Sequence, residues 1–400
     1  MNWPVAKITD VASVVSGGTP KSGVEEFWDG EVAWITPKDM GGKQGEIFVS
    51  NTDRTISQAG LDKSSAKLVP ENSVILSTRA PIGHLVINTV PMAFNQGCRG
   101  LVPTKDVDVK YLYYFLHANV ELLNNLGTGA TFKELSKKAL EDVEFPLPSV
   151  PEQKRIVAIL DQAFADIDKA RALTEQNLKN ARELFESYLQ QVFSQRGEGW
   201  NKYRMSDICE ITSKLVDPRE DQYLDLPHIG AGNMVSGTGE LIEIKTAREE
   251  GLISGKFVFD DSMVLYSKIR PYLMKVCRPS YAGLCSADVY PLAPANGKLD
   301  KNYLYYLLLT KEFTDYAVLG SGRAGMPKVN RNHLFNFSTY LPQIDKQREY
   351  VETINEISDQ ARSLERLYIE KLHKLNELKS SLLQKAFTGE LSKDNQEAVA

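Results

Sequence analysis

The residues in this sequence that are best suited to chemistry are glycine pairs followed by cationic side chains. Glycine-rich backbone can turn its N–H groups toward an anion while a nearby lysine or arginine supplies positive charge. Gly-x-Gly occurs at 127–129, just before Lys133, and again at 320–322, just before Arg323 and Lys328. A glycine pair before a helix is as often only a turn, so both interpretations stay open at this point.

A second group of polar residues has the chemistry that reads DNA. Two predicted strands end in serine followed by cationic residues, and amide and guanidinium groups of the kind at 95–99 recognise adenine and guanine edges. The sequence therefore predicts DNA contacts from Ser77, Arg79, Asn95, Gln96, Arg99, Lys133, Lys137 and Lys138 in the first half, and from Ser267, Lys268, Arg270, Arg323, Lys328 and Arg331 in the second. The tyrosine pairs at 113–114 and 305–306 could stack on bases, but their helical spacing favours the core.

Motifs of bond-making chemistry are missing from the sequence. There is no Gly-x4-Gly-Lys-Ser/Thr loop, no Gly-x-Gly-x-x-Gly and no Asn-Pro-Pro-aromatic stretch of an amino-methyltransferase. The four cysteines and five histidines lack metal-ligand spacing, and no apolar run reaches eighteen residues. We therefore expect a non-catalytic, cytoplasmic protein with reduced thiols, no metal and no cofactor of its own.

The charge is unevenly distributed, although the formal net charge is −5. Residues 63–138 carry nine Lys or Arg against five Asp or Glu, and residues 262–333 carry ten against four. Residues 1–62 are acidic instead, with nine acids against five bases. A basic face on each half is the electrostatic footprint of phosphate binding. Chance segregation of surface charge is the alternative, and the repetition of the pattern argues against it.

Two long stretches must position these halves. Residues 151–193 and 344–387 contain no proline or glycine after the first turn, and apolar residues recur in both at steps of three and four. That period predicts coiled-coil helices. The predicted seams are Val157, Leu160, Phe164, Ile167, Leu178, Ala181, Phe185, Tyr188 and Val192, and Ile354, Ile357, Ala361, Leu364, Tyr368, Leu372, Leu375, Leu378 and Leu382.

The chain is an internal duplication. When the two stretches are aligned, identical residues fall at Leu147/Leu341, Pro148/Pro342, Gln153/Gln347, Val157/Val351, Leu173/Leu367, Leu178/Leu372, Leu184/Leu378 and Phe193/Phe387. We predict the α/β (α+β) class, with two tandem globular domains and two long helices that form an antiparallel coiled coil. The predicted segments are 1–148, 149–196, 197–342, 343–389 and a tail at 390–400. Separate packing of each helix, or pairing with another chain, is the alternative.

This organisation resembles the DNA-specificity (S) subunit of Type I restriction–modification systems. The resemblance is carried by residues 3–20, 127–135, 146–156, 341–348 and 386–391. It implies two target-recognition domains, each reading one half of a bipartite site in double-stranded DNA. It also implies that the helices dock two methyltransferase subunits, which use S-adenosylmethionine to methylate adenine, and that translocase-nuclease subunits join them.

The helix starts carry the residues that the resemblance assigns to methyltransferase docking, namely Gln153, Arg155, Gln347 and Arg348. The two copies differ there, because Asp345-Lys346 stands where the first copy has Pro151-Glu152. Two other functions remain open on the sequence alone. One is a stand-alone DNA methyltransferase, and the other is a coiled-coil adaptor with no role in DNA binding.

Overall fold

The computed structural model describes residues 3–43, 45–129, 133–322 and 327–392. It forms two compact units, one made of residues 1–174 and 370–400 and the other of residues 175–369. Each unit contains one globular domain together with part of each long helix. The long helices are therefore components of both units rather than elements apart from them.

The first domain alternates short strands with short helices. In its described part the strands are β1 (Val5–Lys7), β2 (Ala12–Ser16), β3 (Trp28–Ile35), β4 (Phe48–Val49), β5 (Arg54–Ile56), β6 (Leu68–Val69), β7 (Val74–Thr78), β8 (Ile82–Asn88), β9 (Met92–Phe94), β10 (Cys98–Pro103) and β11 (Glu144–Pro146). The α-helices are α1 (Ile8–Val11), α2 (Pro37–Gly42), α3 (Gln58–Asp62), α4 (Val109–Ala118), α5 (Val120–Leu126) and α6 (Lys137–Glu141), with a 3-10 turn at Glu25–Phe27.

Two sheets make up most of this domain. One has the order β2-β10-β7-β8-β4 and the other β5-β3-β9-β6, while β1 pairs with β11. Every residue of β7 is buried, the three apolar residues at its start and the two polar residues at its end alike. Strands β3 and β9 run parallel, whereas β7 is antiparallel to both β8 and β10. The prediction of a strand that leads to Ser77 is thus confirmed.

The second domain has a similar inventory. Its strands are β12 (Asn201–Arg204), β13 (Cys209–Glu210), β14 (Leu215–Val216), β15 (Pro227–Ile229), β16 (Lys245–Thr246), β17 (Lys256–Phe259), β18 (Val264–Ser267), β19 (Val276–Cys277), β20 (Gly283–Ser286), β21 (Val289–Pro294) and β22 (Ser338–Leu341). The α-helices are α8 (Met205–Ile208), α9 (Ala247–Glu250), α10 (Lys301–Leu308), α11 (Lys311–Leu319) and α12 (Arg331–Asn336), with a 3-10 turn at Pro271–Leu273.

The sheets of the second domain repeat those of the first. The order β13-β21-β18-β19 corresponds to β2-β10-β7-β8, and the parallel pair β15 and β20 corresponds to β3 and β9. The terminal pair of strands β12 and β22 corresponds to the pair β1 and β11. The duplication predicted mainly from the helices therefore extends through the domains.

The long helices are α7 (Val150–Ser194) and α13 (Ile344–Thr388), which confirms both helix predictions. A 3-10 turn, Glu390–Ser392, follows the second helix. Within the first unit, Lys379 Nζ lies 3.3 Å from Asp168 Oδ1, and Arg155 donates to the Leu391 carbonyl at 3.4 Å. Residue numbers rise along one helix as they fall along the other, so the helices pair antiparallel there.

The same direction holds in the second unit. Arg182 Nε lies 3.4 Å from Glu365 Oε1, and the Tyr350 hydroxyl donates to Gln195 Oε1 at 2.8 Å. The antiparallel prediction is confirmed within each unit. One seam position was wrong, because Leu378 is 47% exposed. The next residue, Lys379, takes its place and packs 4.7 Å from the centre of the Phe164 ring.

Each domain is closed by an aromatic residue from the end of a long helix. Phe387 packs 5.1 Å from Tyr111 in the first unit, and Phe193 packs 4.6 Å from Tyr303 in the second. The tyrosines at 113, 114, 305 and 306 are also buried, as their helical spacing indicated. Among the residues that the structure describes, no helix combines the length and the hydropathy needed to cross a bilayer.

A buried glutamine fixes the start of each long helix to its domain. Gln153 accepts from the Asp108 N–H at 2.8 Å and donates to the carbonyls of Asp106 and Pro148, each at 2.9 Å. Gln347 accepts from the Asp300 N–H at 2.9 Å. It donates to the carbonyls of Lys298 at 2.8 Å and Pro342 at 2.9 Å.

These contacts correct the docking prediction for Gln153 and Gln347. Both residues are 0% exposed and use their amide groups on the backbone of their own domain, so a partner subunit cannot reach them. Arg155 is also engaged, since it forms two hydrogen bonds with the Glu152 carboxylate. Arg348 pairs with Asp345 on the surface, and its role in docking stays a prediction.

Replacing Gln153 by alanine should destabilise the first unit by about 3 kcal/mol, because three backbone groups lose their hydrogen-bond partner. Chemical denaturation of the full chain would measure this loss. Gln190→Ala is the matched control, since Gln190 is exposed on the same helix. A Gln153→Ala variant within about 0.5 kcal/mol of the wild type would contradict the bracing role.

Candidate nucleic-acid interface

Three segments of the first domain meet where β7 ends. The Thr78 N–H donates to the Gly97 carbonyl at 2.7 Å, and the Leu135 N–H donates to the Thr78 carbonyl at 2.9 Å. Arg79 then lies opposite Glu134 in an isolated antiparallel bridge. We call this region the strand-end junction of the first domain, comprising residues 77–80, 95–99 and 133–135.

The second domain has the same backbone arrangement where β18 ends. The Lys268 N–H donates to the Asp288 carbonyl at 3.0 Å, and the Val329 N–H donates to the Lys268 carbonyl at 2.8 Å. Ile269 lies opposite Lys328 in an isolated antiparallel bridge. The strand-end junction of the second domain therefore comprises residues 267–270, 286–289 and 327–329.

The hydrogen bonds define which residues are equivalent. Thr78 corresponds to Lys268, Arg79 to Ile269, Gly97 to Asp288 and Glu134 to Lys328. The turn that follows the strand is also repeated, since Ala80 and Arg270 both adopt a left-handed backbone, with φ of 46° and 49°. The backbone of the junction is thus common to both domains, but the charged side chains occupy different positions on it.

One acid lies between two cations in the first junction. Arg79 Nη1 is 3.8 Å from Glu134 Oε2, and Arg99 Nη2 is 3.8 Å from Glu134 Oε1. Arg99 is the more enclosed cation, with a side chain that is 12% exposed and that also donates to the carbonyls of Gln96 and Cys98. Arg79 is 44% exposed and open to a ligand.

The second junction also holds one acid between two cations. Asp288 Oδ1 is 3.4 Å from Lys268 Nζ and 3.2 Å from Lys328 Nζ. Burial alone would raise the pKa of Asp288, but the hydrogen bond from Lys328 and the charge of Lys268 hold that pKa below its usual range. The carboxylate is therefore ionised at neutral pH, and the group formed by Lys268, Lys328 and Asp288 keeps a net charge of one positive unit.

Each junction opens on a cleft. The cleft of the first domain has a volume of about 340 Å³ and is lined by Thr36, Pro37, Lys38, Arg79, Ala80, Asn95 and Gly97. The cleft of the second domain has a volume of about 370 Å³ and is lined by Lys268, Tyr290, Gly320, Ser321, Gly322, Lys328, Val329 and Asn330. Both clefts offer positive charge beside amide or hydroxyl groups, which suits a phosphate and a neighbouring base edge.

Two predicted DNA contacts are corrected by burial. Ser77 is 0% exposed, and its hydroxyl donates to the Pro81 carbonyl and accepts from the His84 N–H. Ser267 is 1% exposed and donates to the Ile269 carbonyl. Both serines hold the backbone turn after the strand, so they position the junction and do not reach a ligand themselves.

The first glycine of each pair does not offer its N–H to an anion, although Gly320 and Gly322 line the cleft of the second domain and their contact with a phosphate stays a prediction. The Gly127 N–H donates to the Asn124 carbonyl and the Gly320 N–H to the Tyr316 carbonyl, so both end a helix. A Cβ atom at Gly320 would come within 2.0 Å of the His333 ring, which explains glycine there by packing. Arg323 lies outside the described residues.

The remaining predicted residues are at the surface or near it, and their contacts with DNA stay predictions. Gln96, Lys133 and Arg270 are exposed, and Asn95 is half-buried and accepts from the Gly97 N–H. Lys137 and Lys138 pair with acids one turn along α6, at Glu141 and Asp142. Arg331 is exposed but donates to the Ile211 carbonyl.

A duplicated turn that the sequence interpretation overlooked forms the lip of the first cleft. Asp39 accepts from the Thr36 N–H at 2.8 Å, and Asn233 accepts from the Gly230 N–H at 2.8 Å at the equivalent place. The exposed Lys38 lines the cleft within this turn. Identical residues at Ile35/Ile229 and Met40/Met234, with the same offset as the helices, were the signal for it.

The family model for the Type I restriction modification DNA specificity domain matches residues 1–177 and again residues 197–374. The chain belongs to this family. The two matches cover most of the chain and follow its internal duplication, which confirms the resemblance stated from the sequence. The specificity-domain family thus accounts for both halves, each with a strand-end junction.

Two relatives illustrate the relationship. The Type I restriction enzyme EcoDI specificity subunit of Escherichia coli is 29% identical over 321 residues, which is 72% of this chain and 71% of that protein. The MjaIX specificity subunit of Methanocaldococcus jannaschii (strain ATCC 43067 / DSM 2661 / JAL-1 / JCM 10045 / NBRC 100440) is 31% identical over 255 residues, which is 59% of each protein.

Solved structures show the same fold. A chain from a structure on complex assembly and conformational transition of the type I R-M system has a TM-score of 0.75 at 18% identity, and covers 96% of this chain and 97% of that one. The HsdS subunit from Thermoanaerobacter tengcongensis has a TM-score of 0.62 at 18% identity, with 97% of each chain covered. The predicted fold class is confirmed.

Asp39→Asn should leave the first unit at least as stable at neutral pH, because Asn233 already fills the equivalent position. Burial raises the pKa of Asp39 despite its bonds to Thr36, and the charge of Asp53 raises it further. The stability that its proton provides is therefore present in acid and lost as pH rises through the raised pKa. Thermal unfolding should show a gain from the substitution near pH 7 that shrinks in acid.

Asn233→Asp is the reciprocal control for this substitution. Asn233 donates to the carbonyls of Ile242 and Glu243, so a carboxylate there should destabilise the second unit by about 2 kcal/mol at neutral pH. A loss of stability in Asp39→Asn that grows with pH would show that the ionised carboxylate is the stabilising form.

Proposed function

We propose that this chain is the DNA-recognition subunit of a Type I restriction–modification complex. Each domain reads one half of a bipartite site through the cleft at its strand-end junction. The observation that carries the proposal is the match of both halves to the DNA specificity family, together with a cationic junction at the same place in each domain. In this function the chain recognises DNA and other subunits carry out the reactions.

The polar residues of the junctions suit two separate tasks, which are to position the protein on the duplex and to read the bases. Arg79 and the two lysines Lys268 and Lys328 supply charge for phosphates, which fix the register of a protein on the duplex. Asn95 and Gln96 lie beside Arg79 in the first domain and carry amides that pair with adenine edges. Because the two domains present different polar groups on one backbone frame, each domain is suited to a different half-site.

The family match supports recognition over the two other functions that the sequence left open. A stand-alone methyltransferase would methylate DNA as an isolated chain, and a coiled-coil adaptor would show no salt-dependent DNA binding. We propose that S-adenosylmethionine is bound by partner methyltransferase subunits that methylate adenine, and that translocase-nuclease subunits complete the complex. The target base leaves the stack before chemistry, and that step belongs to the partner.

Exposed leucines on the long helices offer docking sites for two copies of one partner. Leu173 and Leu367 are 58% and 56% exposed, and Leu184 and Leu378 are 56% and 47% exposed. Each pair is identical between the two copies of the duplication. A single exposed leucine needs no partner. Leucines that are exposed at equivalent positions in both copies of the duplication instead suit a partner that contacts the chain twice.

The register of the helices gives each unit one leucine pair. In the first unit, the ion pair between Asp168 and Lys379 places Leu378 about one helical turn from Leu173 along the axis. In the second unit, the ion pair between Arg182 and Glu365 places Leu367 at the same spacing from Leu184. We therefore propose these two pairs, rather than Gln153 and Gln347, as the methyltransferase-docking sites.

Replacing residues 1–146 with the corresponding domain of a relative should change one half of the recognised site and leave the other half unaltered. The donor domain should keep aromatic residues at the positions of Tyr111 and Phe115, because Phe387 packs on both. Methylome sequencing of cells that express the chimera with its partner subunits would read out both halves. A change in both halves, or in neither, would refute the two-reader function.

Replacing the leucine pair of one unit by glutamate should reduce the number of bound methyltransferase subunits from two to one. The variants are Leu173→Glu with Leu378→Glu, and Leu184→Glu with Leu367→Glu, and native mass spectrometry would count the subunits. Leu319→Glu is the control, since Leu319 is 84% exposed and lies outside the long helices. Two subunits on both double variants would rule out this docking surface.

A further inference from the structure

We propose that Glu134 and Asp288 are internal counter-ions that occupy the cation pairs of the two junctions until a DNA phosphate displaces them. The inference rests on the proposed function, because it assigns a regulator to the same DNA-binding clefts. The ligand that competes with each carboxylate is a phosphodiester of duplex DNA. Each acid therefore weakens binding to DNA in general and makes the junction depend on additional contacts.

The strongest support is that both junctions hold one acid between two cations, although the charged residues occupy different positions on the shared backbone. In the first domain the acid is on the segment that crosses the strand end (residues 133–135), at Glu134, and the cations are at the end of β7, at Arg79, and on β10, at Arg99. In the second domain the acid is on the turn, at Asp288, and the crossing segment supplies a cation, Lys328. If the arrangement had been inherited from the duplicated ancestor, the two acids would occupy equivalent positions in the two domains. They do not, so inheritance does not explain it.

The geometry leaves the cations available for exchange. Both carboxylates are partly exposed, at 41% for Glu134 and 37% for Asp288. In the first junction the ion pairs are 3.8 Å long, which is beyond direct hydrogen bonding. Ion pairs at such exposure contribute little to folding. A phosphate, with oxygens that accept shorter and stronger bonds from guanidinium, can replace the carboxylate.

The enclosed position of Arg99 adds to this argument. Its Nη1 donates to two carbonyls, and its buried Nε finds no hydrogen-bond partner among the described residues. The backbone thus holds the guanidinium in place whether or not Glu134 is ionised. Removing the Glu134 charge should therefore leave Arg99 as a positioned cation of the junction rather than release a mobile side chain.

A counter-ion of this kind lowers the affinity of the protein for all DNA, so that a duplex stays bound only where it makes additional contacts. Any phosphate must displace the carboxylate, and the cost of that exchange is the same for every sequence. Base contacts at the cleft form only on a matching half-site, so only a matching site offsets the cost. The two acids would then set the threshold affinity for DNA without touching a base.

The test is the affinity of the full-length protein for a mixed-sequence DNA duplex, measured by fluorescence anisotropy over a salt series. Glu134→Gln and Asp288→Asn should each tighten binding about threefold at moderate salt and steepen the salt dependence by about one phosphate contact. Glu26→Gln and Asp225→Asn are the matched controls. Each control removes one exposed acid from an ion pair elsewhere in the same domain, and binding should stay near that of the wild type.

A double-mutant cycle separates release of the cations from a change in overall charge. Arg79→Ala should weaken binding more strongly in the Glu134→Gln protein than in the wild type, because Arg79 is then free to meet phosphate. Equal effects in both backgrounds would overturn the proposal for the first domain, and unchanged or weaker binding by both single variants would overturn it for both domains. If the wild type binds the duplex without salt dependence, the proposed function fails and the counter-ion role with it.

Discussion

The structure depends on aromatic packing between the C-terminal end of each long helix and the core of one domain. Phe387, at the end of the second helix, closes the core of the first unit against Tyr111 and Phe115. Phe193, at the end of the first helix, packs on Tyr303 in the second unit. Each aromatic pair adds about 0.5–1.5 kcal/mol beyond its buried area. The core of each domain is closed by the end of the long helix that starts after the other domain. Neither helix can therefore detach without exposing a core.

This packing fixes where each domain meets its helix and leaves the cleft surface free to vary. The tyrosines, the helix ends and the glutamine braces at Gln153 and Gln347 are repeated in both units. The strand-end junctions keep the same backbone hydrogen bonds, yet Arg79 stands where the other domain has Ile269. A frame held by main-chain bonds tolerates such replacements, because the charged side chains at the cleft carry no part of the core. Recognition can therefore change while the scaffold stays constant.

The helices, the duplication and the fold class could be predicted from the sequence, because a seam period and identical residues are local signals. Burial was harder to infer. Ser77 and Gln153 have the right chemistry for binding, but they are buried and their polar groups bond to nearby backbone, and only the folded chain shows that. The ion pairs of the junction join residues far apart in sequence. The offset between equivalent residues also changes along the chain, so the match of Thr78 with Lys268 could not be found from the helices.

The closure by Phe387 has a consequence for the order in which the protein is made. The second unit is one continuous segment, residues 175–369, whereas the first unit combines residues 1–174 with residues 370–400. Domains generally fold as they emerge during synthesis, with the N-terminal one first. Here the ribosome must translate the whole second unit before Phe387 exists, so the domain that is synthesised first completes its core last. Until then the apolar surface around Tyr111 and Phe115 stays uncovered in the nascent chain.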